Sequence, residues 1–349
     1  MSPMTEKQPL GKTGIRVPKI VFGASCLGNL YQAIPHETKR QIVQEWFAHV
    51  ETPLALDAAG KYGAGLALEE LGRCLRELGV ERRQVVLSNK LGWKRIPLTG
   101  PEPTFEPGAW MDLGHDAEQH ISYEGILECH SQGCELLGTD YSVQLVSVHD
   151  PDEYLAAAAT PGDRVKRFND VLDAYRALGE LKQQGLVHGV GVGAKDWRVI
   201  RELSEHIDFD WVMFACSLTP YCHPRELLDF IEQLHRRNVG MINSAVFNSG
   251  FLVGGEFFDY IKPSQTSHPE LFQWRDRFLS ICKAYDVSPS AACIQFGLSV
   301  PGISATALNT GKPRRVKENV DAFEQTLPNE FWTALKNGKV IARDFPYLG

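Results

Sequence analysis

The sequence lacks the features that mark membrane-embedded and nucleic-acid-binding proteins. Among its 349 residues, no apolar run approaches the ~18 residues that a membrane-spanning helix needs. The first 14 residues are polar and contain no apolar stretch of the kind found in a signal peptide. Basic residues are spread along a chain of formal net charge −7, without a basic block. We therefore expect no membrane and no nucleic acid as a main partner, and a cytoplasmic location.

Paired cysteines and nucleotide-binding glycine motifs are also missing. The eight cysteines include no CxxC pair, and most lie within apolar patterns, which is typical of reduced thiols in a core. No GxGxxG loop opens a helix, because Gly189, Gly191 and Gly193 alternate within a strand-like run. A Rossmann dinucleotide site is therefore disfavoured. No repeat or linker divides the chain, and we expect a single domain over residues 1–349.

What the sequence does contain is a regular alternation of strand-like and helix-like segments. The eight predicted strands cover residues 19–24, 54–56, 84–90, 143–149, 187–193, 211–215, 240–244 and 303–308. Alternation with helices favours parallel pairing, and eight such units favour a closed (β/α)8 TIM barrel, an α/β fold, over a doubly wound sheet. We expect a β-hairpin at residues 10–18 before the barrel and a C-terminal helix at 329–336 after it. The helix after the fourth strand is predicted over 168–185.

Residues 91–125 break this rhythm and form a predicted insertion loop. The segment contains four prolines together with Trp93, Phe105 and Trp110. A connection this long within a compact chain is usually functional or disordered. Its aromatic residues favour an ordered lid, and a solvated insertion is the alternative.

Polar side chains follow three neighbouring predicted strands at the point where each strand ends. Asp57 follows the second strand, Lys90 ends the third and His149 ends the fourth. Tyr62 comes five residues after Asp57, in a tight loop before an amphipathic helix. Because the carboxyl ends of parallel strands lie at one rim of a barrel, we expect these four side chains to meet there.

Tyr62 is the candidate acid–base group. A phenol has a pKa near ~10, and an ammonium at ~4 Å stabilises the phenolate by about 4 kcal/mol at an effective dielectric of ~20. Lys90 would supply that ammonium, Asp57 would hold Lys90, and His149 would donate a hydrogen bond to the reacting oxygen. Such a set exchanges a proton with an alcohol or carbonyl and needs a hydride carrier but no metal. Each residue alone also fits a turn, a helix cap or a satisfied polar group.

The loops after the last two strands are the candidate cofactor site. Barrel enzymes frequently bind phosphate groups there. In the loop over residues 244–252, Asn248, Ser249 and Gly250 could offer backbone amides. Residues 309–319 follow the eighth strand and open a helix whose amino end attracts anions. An ordinary capped helix with solvated charges is the alternative interpretation.

The order and surroundings of Asp57, Tyr62, Lys90 and His149 resemble the aldo-keto reductases, whose catalytic tetrad consists of these residue types. The resemblance covers residues 10–323 and implies a (β/α)8 barrel that uses NADP or NAD. The candidate substrate contacts are Tyr62, Trp93, Trp110 and His149.

The same resemblance implies a set of cofactor contacts. Arg315 and Asn319 would contact the adenosine end, with Glu318 near the adenine. Gly193 and Ala194 stand where many members have a Ser-Asn pair for the nicotinamide amide. The other implied contacts are Gly23, Ala24, Asp57, Ser217, Ser244, Val246, Asn248, Ser249, Leu252, Asn309, Thr310, Gly311 and Lys312.

The cofactor preference stays open at this point. Asn309 occupies the place where many NADPH-preferring members have a lysine for the 2′-phosphate. Arg315 is nevertheless present, so the resemblance supports both NAD and NADP.

Residues 149–152, 191–193 and 246–250 are similar to the sugar-oxidising members, of the L-fucose or D-threo-aldose dehydrogenase type; pyridoxal dehydrogenases lie close by. Such members oxidise the anomeric carbon of an aldose to a lactone. Trp93 and Trp110 would stack on the sugar, or else serve as core or surface residues. The alternatives are an NADPH-dependent aldehyde or ketone reductase, and a cofactor-binding regulatory barrel without turnover. The oligomeric state stays open.

Overall fold

The structure is a computed structural model that describes residues 6–259 and 261–349. Within these residues the chain forms twelve strands. They are β1 (Gln8–Pro9), β2 (Arg16–Val17), β3 (Ile20–Gly23), β4 (Leu54–Ala59), β5 (Val85–Leu91), β6 (Trp93–Pro97), β7 (His115–Gln119), β8 (Leu145–His149), β9 (Gly189–Ala194), β10 (Trp211–Ala215), β11 (Gly240–Ser244) and β12 (Ile303–Leu308).

Eight of these strands close into a parallel barrel. Their order around the barrel is β3, β4, β5, β8, β9, β10, β11 and β12, and the pairing of β12 with β3 closes the ring. The predicted (β/α)8 architecture is confirmed. In a closed parallel barrel every strand ends at the same rim, so the polar groups at the strand ends are brought together.

Eleven α-helices are described, and those between the strands pack around the barrel. They are α1 (His36–His49), α2 (Leu66–Glu77), α3 (Tyr123–Leu137), α4 (Pro151–Ala156), α5 (Pro161–Gln183), α6 (Trp197–Leu203), α7 (Arg225–Arg236), α8 (Pro269–Ala284), α9 (Pro289–Leu298), α10 (Arg314–Glu324) and α11 (Asn329–Asn337). In α7 the buried residues Leu227, Leu228, Ile231 and Leu234 form one apolar stripe. Burying each such side chain contributes about 1.5–3 kcal/mol.

The predicted amino-terminal hairpin closes one end of the barrel. β1 and β2 pair antiparallel, and Leu10 and Val17 join the apolar cluster inside the barrel. Gly11 has a φ of +53°, and a Cβ there would lie 2.1 Å from the backbone nitrogen of Gly240. Only glycine fits this contact, which holds the hairpin against β11.

Two segments differ from the sequence-based expectation. Within residues 91–125, β6 and β7 pair as an antiparallel hairpin, so the predicted loop contains regular structure and is ordered. α5 begins at Pro161, seven residues before the predicted start. The side chain of Thr160 accepts a hydrogen bond from the Asp163 backbone nitrogen, which is an N-cap signal that the apolar pattern alone did not reveal.

The eight cysteines are all free, and six of them are buried, as expected for core thiols. Burial raises the pKa of the Cys26 and Cys282 thiols to about 12. No helix in the described part of the chain is long and apolar enough to span a membrane.

Candidate active site

The four predicted catalytic side chains meet at the carboxyl rim of the barrel. Asp57 lies in β4, Lys90 in β5 and His149 at the end of β8, while Tyr62 lies in the turn between β4 and α2. Asp57, Lys90 and His149 are buried, and Tyr62 is half-buried. Adjacent parallel strands therefore place groups that are up to 92 residues apart around one point.

Asp57 and Lys90 form a buried ion pair at the base of the site. The Lys90 ammonium contacts Asp57 Oδ2, and Ser88 Oγ donates a hydrogen bond to Asp57 Oδ1 at 3.1 Å. The Lys90 nitrogen also lies 4.9 Å from the centre of the Tyr62 ring. Sequence reasoning missed Ser88, although its position two residues before Lys90 on the same strand places both on one face.

The Tyr62 phenol differs from the expectation. Burial raises its pKa well above 10.0, and the nearby carboxylates of Asp57 and Asp150 raise it further. The net direction is opposite to the predicted lowering by Lys90, because burial disfavours the phenolate and Asp57 offsets the lysine charge. Tyr62 is therefore protonated at neutral pH.

His149 is a neutral imidazole that lies edge-on to Tyr62. Their ring centres are 5.4 Å apart with an interplanar angle of 85°. Burial lowers the pKa of His149 well below 6.5, and the positive charges of Lys90 and Lys61 lower it further. Nε2 lies 3.5 Å from Asp150 Oδ2, whereas Nδ1 is buried without a hydrogen-bond partner. A carboxylate can only accept, so Asp150 favours the tautomer with the proton on Nε2.

A second ion cluster, centred on the buried ammonium of Lys61, adjoins the tetrad, and sequence reasoning missed it. The Lys61 ammonium lies 2.6 Å from Glu106, 3.2 Å from Asp150 and 3.0 Å from Glu153. Lys61 is only 2% exposed. Burial lowers its pKa, but these three carboxylates outweigh burial and raise it. The available signals were the positions of Lys61 beside Tyr62 and of Asp150 beside His149.

An aromatic wall from the insertion covers the tetrad. Trp110 lies 5.8 Å from Tyr62 and Phe105 lies 6.3 Å from Trp110, measured between ring centres. Trp93 continues the wall at 5.7 Å from Phe105. Trp110 Nε1 donates a hydrogen bond of 2.7 Å to Glu106, the residue that pairs with Lys61. The structure thus places both predicted tryptophans near the tetrad, where Trp110 is 7% exposed within a buried cluster and Trp93 is half-buried against it.

Comparison with known proteins gives the family. A profile described as the Aldo/keto reductase family matches residues 19–338. The chain belongs to the aldo/keto reductase family. It is therefore an oxidoreductase, with NADP or NAD as its hydride carrier.

Two curated relatives and one solved structure show how far this aldo/keto reductase is similar to known members. Pyridoxal 4-dehydrogenase of Microbacterium luteolum is 29% identical, over 97% of this chain and 98% of its own length. D-threo-aldose 1-dehydrogenase of a Pseudomonas species is 24% identical, over 94% of this chain and 96% of its own length. The holo form of an aldo-keto reductase from Bacillus halodurans has a TM-score of 0.69 at 19% identity, over 96% of both chains. At that identity the structure supports the fold.

The rim of this aldo/keto reductase carries several groups that are suited to binding a nicotinamide cofactor. A Cβ built on Gly193 would lie 3.2 Å from Lys90 Cδ. Because glycine has no Cβ, the backbone of residue 193 lies directly beside the tetrad. Asn248 Oδ1 is buried without a hydrogen-bond partner and can accept from an amide. Arg315 and Glu318 are exposed on the first turns of α10. These features fit a nicotinamide dinucleotide.

Most of the other predicted cofactor residues lie at or near the ends of barrel strands on this rim. They are Gly23 at the end of β3 and Ala24 after it, Ala194 in β9, Ser217 after β10, Ser244 at the end of β11 with Val246, Ser249 and Leu252 after it, Asn309, Thr310, Gly311 and Lys312 after β12, and Asn319 in α10. Asn309 Nδ2 donates to Ser25 Oγ at 2.8 Å, which ties the loop after β12 to the loop after β3.

The structure corrects one detail of the predicted cofactor site. The backbone amide of Asn248 donates to Ala245 and that of Gly250 to Phe247, so both serve the turn after β11. They are not available as the free amides that the sequence suggested. The Ser217 hydroxyl likewise donates to a backbone carbonyl, and its remaining capacity is as an acceptor.

One group outside the rim has the spacing of a metal site in the described part of the chain. Ligand atoms of His36, Glu70 and Cys74 lie within 4.8 Å of one another. The two ring nitrogens of His36 already contact Glu70 at 2.7 Å and Glu77 at 2.8 Å. Lys39 is a buried cation that interacts with Glu70, so the cluster already holds a positive charge. The prediction that the chemistry needs no metal stays a prediction.

Proposed function

We propose that this enzyme is an NAD(P)-dependent aldose 1-dehydrogenase that oxidises the anomeric carbon of a pyranose to a lactone. Tyr62 accepts the proton of the anomeric hydroxyl, and His149 donates a hydrogen bond from Nε2 to the same oxygen. Lys90, held by Asp57, stabilises the phenolate as it forms. When bound at this rim, the nicotinamide cofactor would supply the acceptor for the hydride of the anomeric carbon. The C–H and O–H bonds break, a C=O bond forms, and the products are a lactone, reduced cofactor and a proton.

The aromatic wall beside the tetrad carries this proposal. Trp110 lies 5.8 Å from Tyr62, and Phe105 and Trp93 extend the same apolar cluster, in which Trp93 is the half-buried member. A pyranose presents an apolar face of C–H groups and a rim of hydroxyls. An aromatic surface next to buried carboxylates fits both halves of such a molecule. The similarity to the Pseudomonas D-threo-aldose 1-dehydrogenase supports the same substrate class.

The protonated state of Tyr62 favours a second candidate function. Burial raises the pKa of this phenol well above 10.0, so its resting form is a proton donor. A donor is what the reduction of a carbonyl requires. An NADPH-dependent aldehyde or ketone reductase is therefore the alternative.

Absorbance at the reduced-nicotinamide band distinguishes the aldose dehydrogenase from the carbonyl reductase. The purified protein is given NAD⁺ or NADP⁺ with a panel of aldoses, and NADPH or NADH with aromatic aldehydes. We expect cofactor reduction with at least one aldose and a lactone product that hydroxylamine traps. Reduction of aldehydes with no turnover of any aldose would overturn the aldose assignment and support the reductase.

A titration of the cofactor tests the remaining alternative, a regulatory barrel. Calorimetric binding of NADP, with no turnover of any aldose or aldehyde, would favour that role. Turnover by the wild-type protein that Tyr62→Phe abolishes would exclude a purely regulatory role.

A further inference from the structure

Asp150 is a buried carboxylate beside His149 of the tetrad. It is 7% exposed and has a φ of 48°, a left-handed conformation that Asp tolerates better than most residues. Its backbone nitrogen donates to the Gly193 carbonyl at 3.0 Å, which fixes it between β8 and β9. Its Oδ2 lies 3.5 Å from His149 Nε2 and 3.2 Å from the Lys61 ammonium.

This geometry puts Asp150 next to the reacting oxygen. An oxygen that accepts a hydrogen bond from His149 Nε2 lies at roughly 2.8–3.2 Å from that nitrogen. Asp150 Oδ2 is 3.5 Å from the same nitrogen, so the reacting oxygen lies at most about 6.7 Å from it, within reach of a hydroxyl on the neighbouring carbon. A carboxylate cannot donate, so any hydrogen bond that Asp150 makes beyond its contacts with Lys61 and His149 takes a hydroxyl or N–H from the molecule that binds there. A hydroxyl on the carbon next to the reacting carbon supplies that donor.

The cluster around Asp150 carries an excess of negative charge. Glu106, Asp150 and Glu153 supply three carboxylates, while Lys61 and Lys195 supply two ammonium groups. This count leaves one net negative charge, and the neighbouring buried carboxylate of Asp152, whose pKa burial and Asp150 raise to about 6, adds to it at neutral pH. The Asp57–Lys90 pair is neutral and does not change that balance.

We propose that Asp150 is a specificity-determining residue that accepts a hydrogen bond from a substrate hydroxyl next to the reacting carbon. The negative charge that it shares with Glu106 and Glu153 discriminates against phosphorylated and carboxylated substrates. The favoured class is an uncharged hydroxy-aldehyde or aldose. The proposal rests on the proposed function, through the placement of the reacting oxygen on His149, but it does not require that the substrate be a sugar.

Three small aldehydes test both parts with whichever reduced cofactor is active. D-Glyceraldehyde against propanal measures the preference for the neighbouring hydroxyl. D-Glyceraldehyde against its 3-phosphate measures the discrimination against anions. We expect the wild-type enzyme to favour glyceraldehyde in both pairs. In Asp150→Asn we expect both kcat/KM preferences to fall on the order of ten- to a hundredfold, the range for a lost hydrogen bond to a charged group.

The split between kinetic parameters separates a specificity role from a structural one. The effect should change the ratio of kcat/KM between glyceraldehyde and propanal and appear chiefly in KM for glyceraldehyde, because a binding contact to the neighbouring hydroxyl exists for that substrate and not for propanal. Asp208→Asn removes a surface carboxylate that pairs with Lys12 at 2.6 Å, and it should keep both preferences. Equal loss of activity with all three aldehydes in Asp150→Asn would overturn the proposal.

Glu106→Gln keeps the test decisive if Asp150→Asn does not fold. It removes one carboxylate from the cluster, and Lys61 retains Asp150 and Glu153. The discrimination against the phosphate should fall, and the preference for glyceraldehyde over propanal should remain. Unchanged ratios in the variants, no preference in the wild type, or no turnover of any of the three aldehydes would overturn the inference. If none of the three aldehydes is turned over but an aldose is oxidised, the proposed function still stands. If the aldehyde preferences are as expected but no aldose is turned over, only the sugar assignment is overturned.

Discussion

The hydroxyl of Tyr62 is the single group on which the proposed chemistry depends. Tyr62→Phe removes this oxygen and keeps the ring that contacts Trp110 and His149. Because general acid–base catalysis typically contributes about 100- to 10,000-fold, kcat should fall by that factor. Cofactor affinity, measured by titration, should barely change. Retention of more than about a tenth of the wild-type kcat would mean that the base lies elsewhere, with His149 first to be examined.

The pKa directions at the tetrad predict opposite pH profiles for the two reaction directions. Oxidation needs the phenolate, and the pKa of Tyr62 lies well above 10.0, so kcat should rise with pH without a plateau up to about pH 10. Reduction needs the phenol, which is present throughout that range, so its kcat should stay flat. His149 has a pKa well below 6.5, so neither profile should show a step near that pH. A plateau in oxidation near pH 7 would contradict this picture and show that binding of the cofactor lowers the pKa of Tyr62.

At the scale of elements, the insertion depends on one buried carboxylate. Asp116, 3% exposed, accepts hydrogen bonds from the backbone nitrogens of Thr104 at 3.0 Å and Ala117 at 2.8 Å. Burial raises its pKa, but these hydrogen bonds outweigh burial and lower it below 3.8. Its stabilising contribution is therefore present above the ordinary pKa of an aspartate and is lost only as the pH falls through the lowered value. At neutral pH the contribution is complete.

Asp116→Ala should loosen the aromatic wall without unfolding the barrel. Leaving the two backbone donors unpaired costs about 1–3 kcal/mol locally. We expect faster protease cleavage within residues 98–114 and a higher KM for the substrate. Glu102→Ala, at an exposed position of the same insertion, serves as the control and should change neither. Equal cleavage rates for the two variants would show that Asp116 does not hold the segment.

At the scale of the whole molecule, cofactor binding connects loops that are distant in sequence. The loops after β3, β9, β11 and β12 lie at one rim, so a ligand that they hold jointly stabilises the entire barrel. At a cofactor concentration 100 times Kd the stabilisation is about 2.7 kcal/mol, which is measurable as a rise in Tm.

Arg315→Ala tests which dinucleotide uses this rim. If the exposed guanidinium of Arg315 contacts a 2′-phosphate, the variant should lose most of the Tm rise with NADP and little of the rise with NAD. Arg176→Ala, on the exposed face of α5 where Arg176 pairs with Asp173, should lose neither. Equal losses with both cofactors would place Arg315 against a part that NAD and NADP share.

The sequence by itself determined the barrel and the position of the tetrad. Eight alternating strand and helix segments allow few arrangements, and a closed parallel barrel puts every strand end at one rim. Asp57, Lys90 and His149 could therefore be placed together from their positions alone. The helix at 329–336 was predicted for the same reason, since apolar periodicity is a local property of the chain.

Only the tertiary structure decided the electrostatics of the site. The contact of Lys61 with Glu106 joins residues 45 positions apart, through a hairpin that no local pattern positioned over Tyr62. The rise in the pKa of Tyr62 depends on burial and on the distances to Asp57 and Asp150, which the sequence does not contain. The same holds for the turn that occupies the amides of Asn248 and Gly250. Charge interactions and desolvation act through space between distant segments, so they become readable only once the fold has brought those segments together.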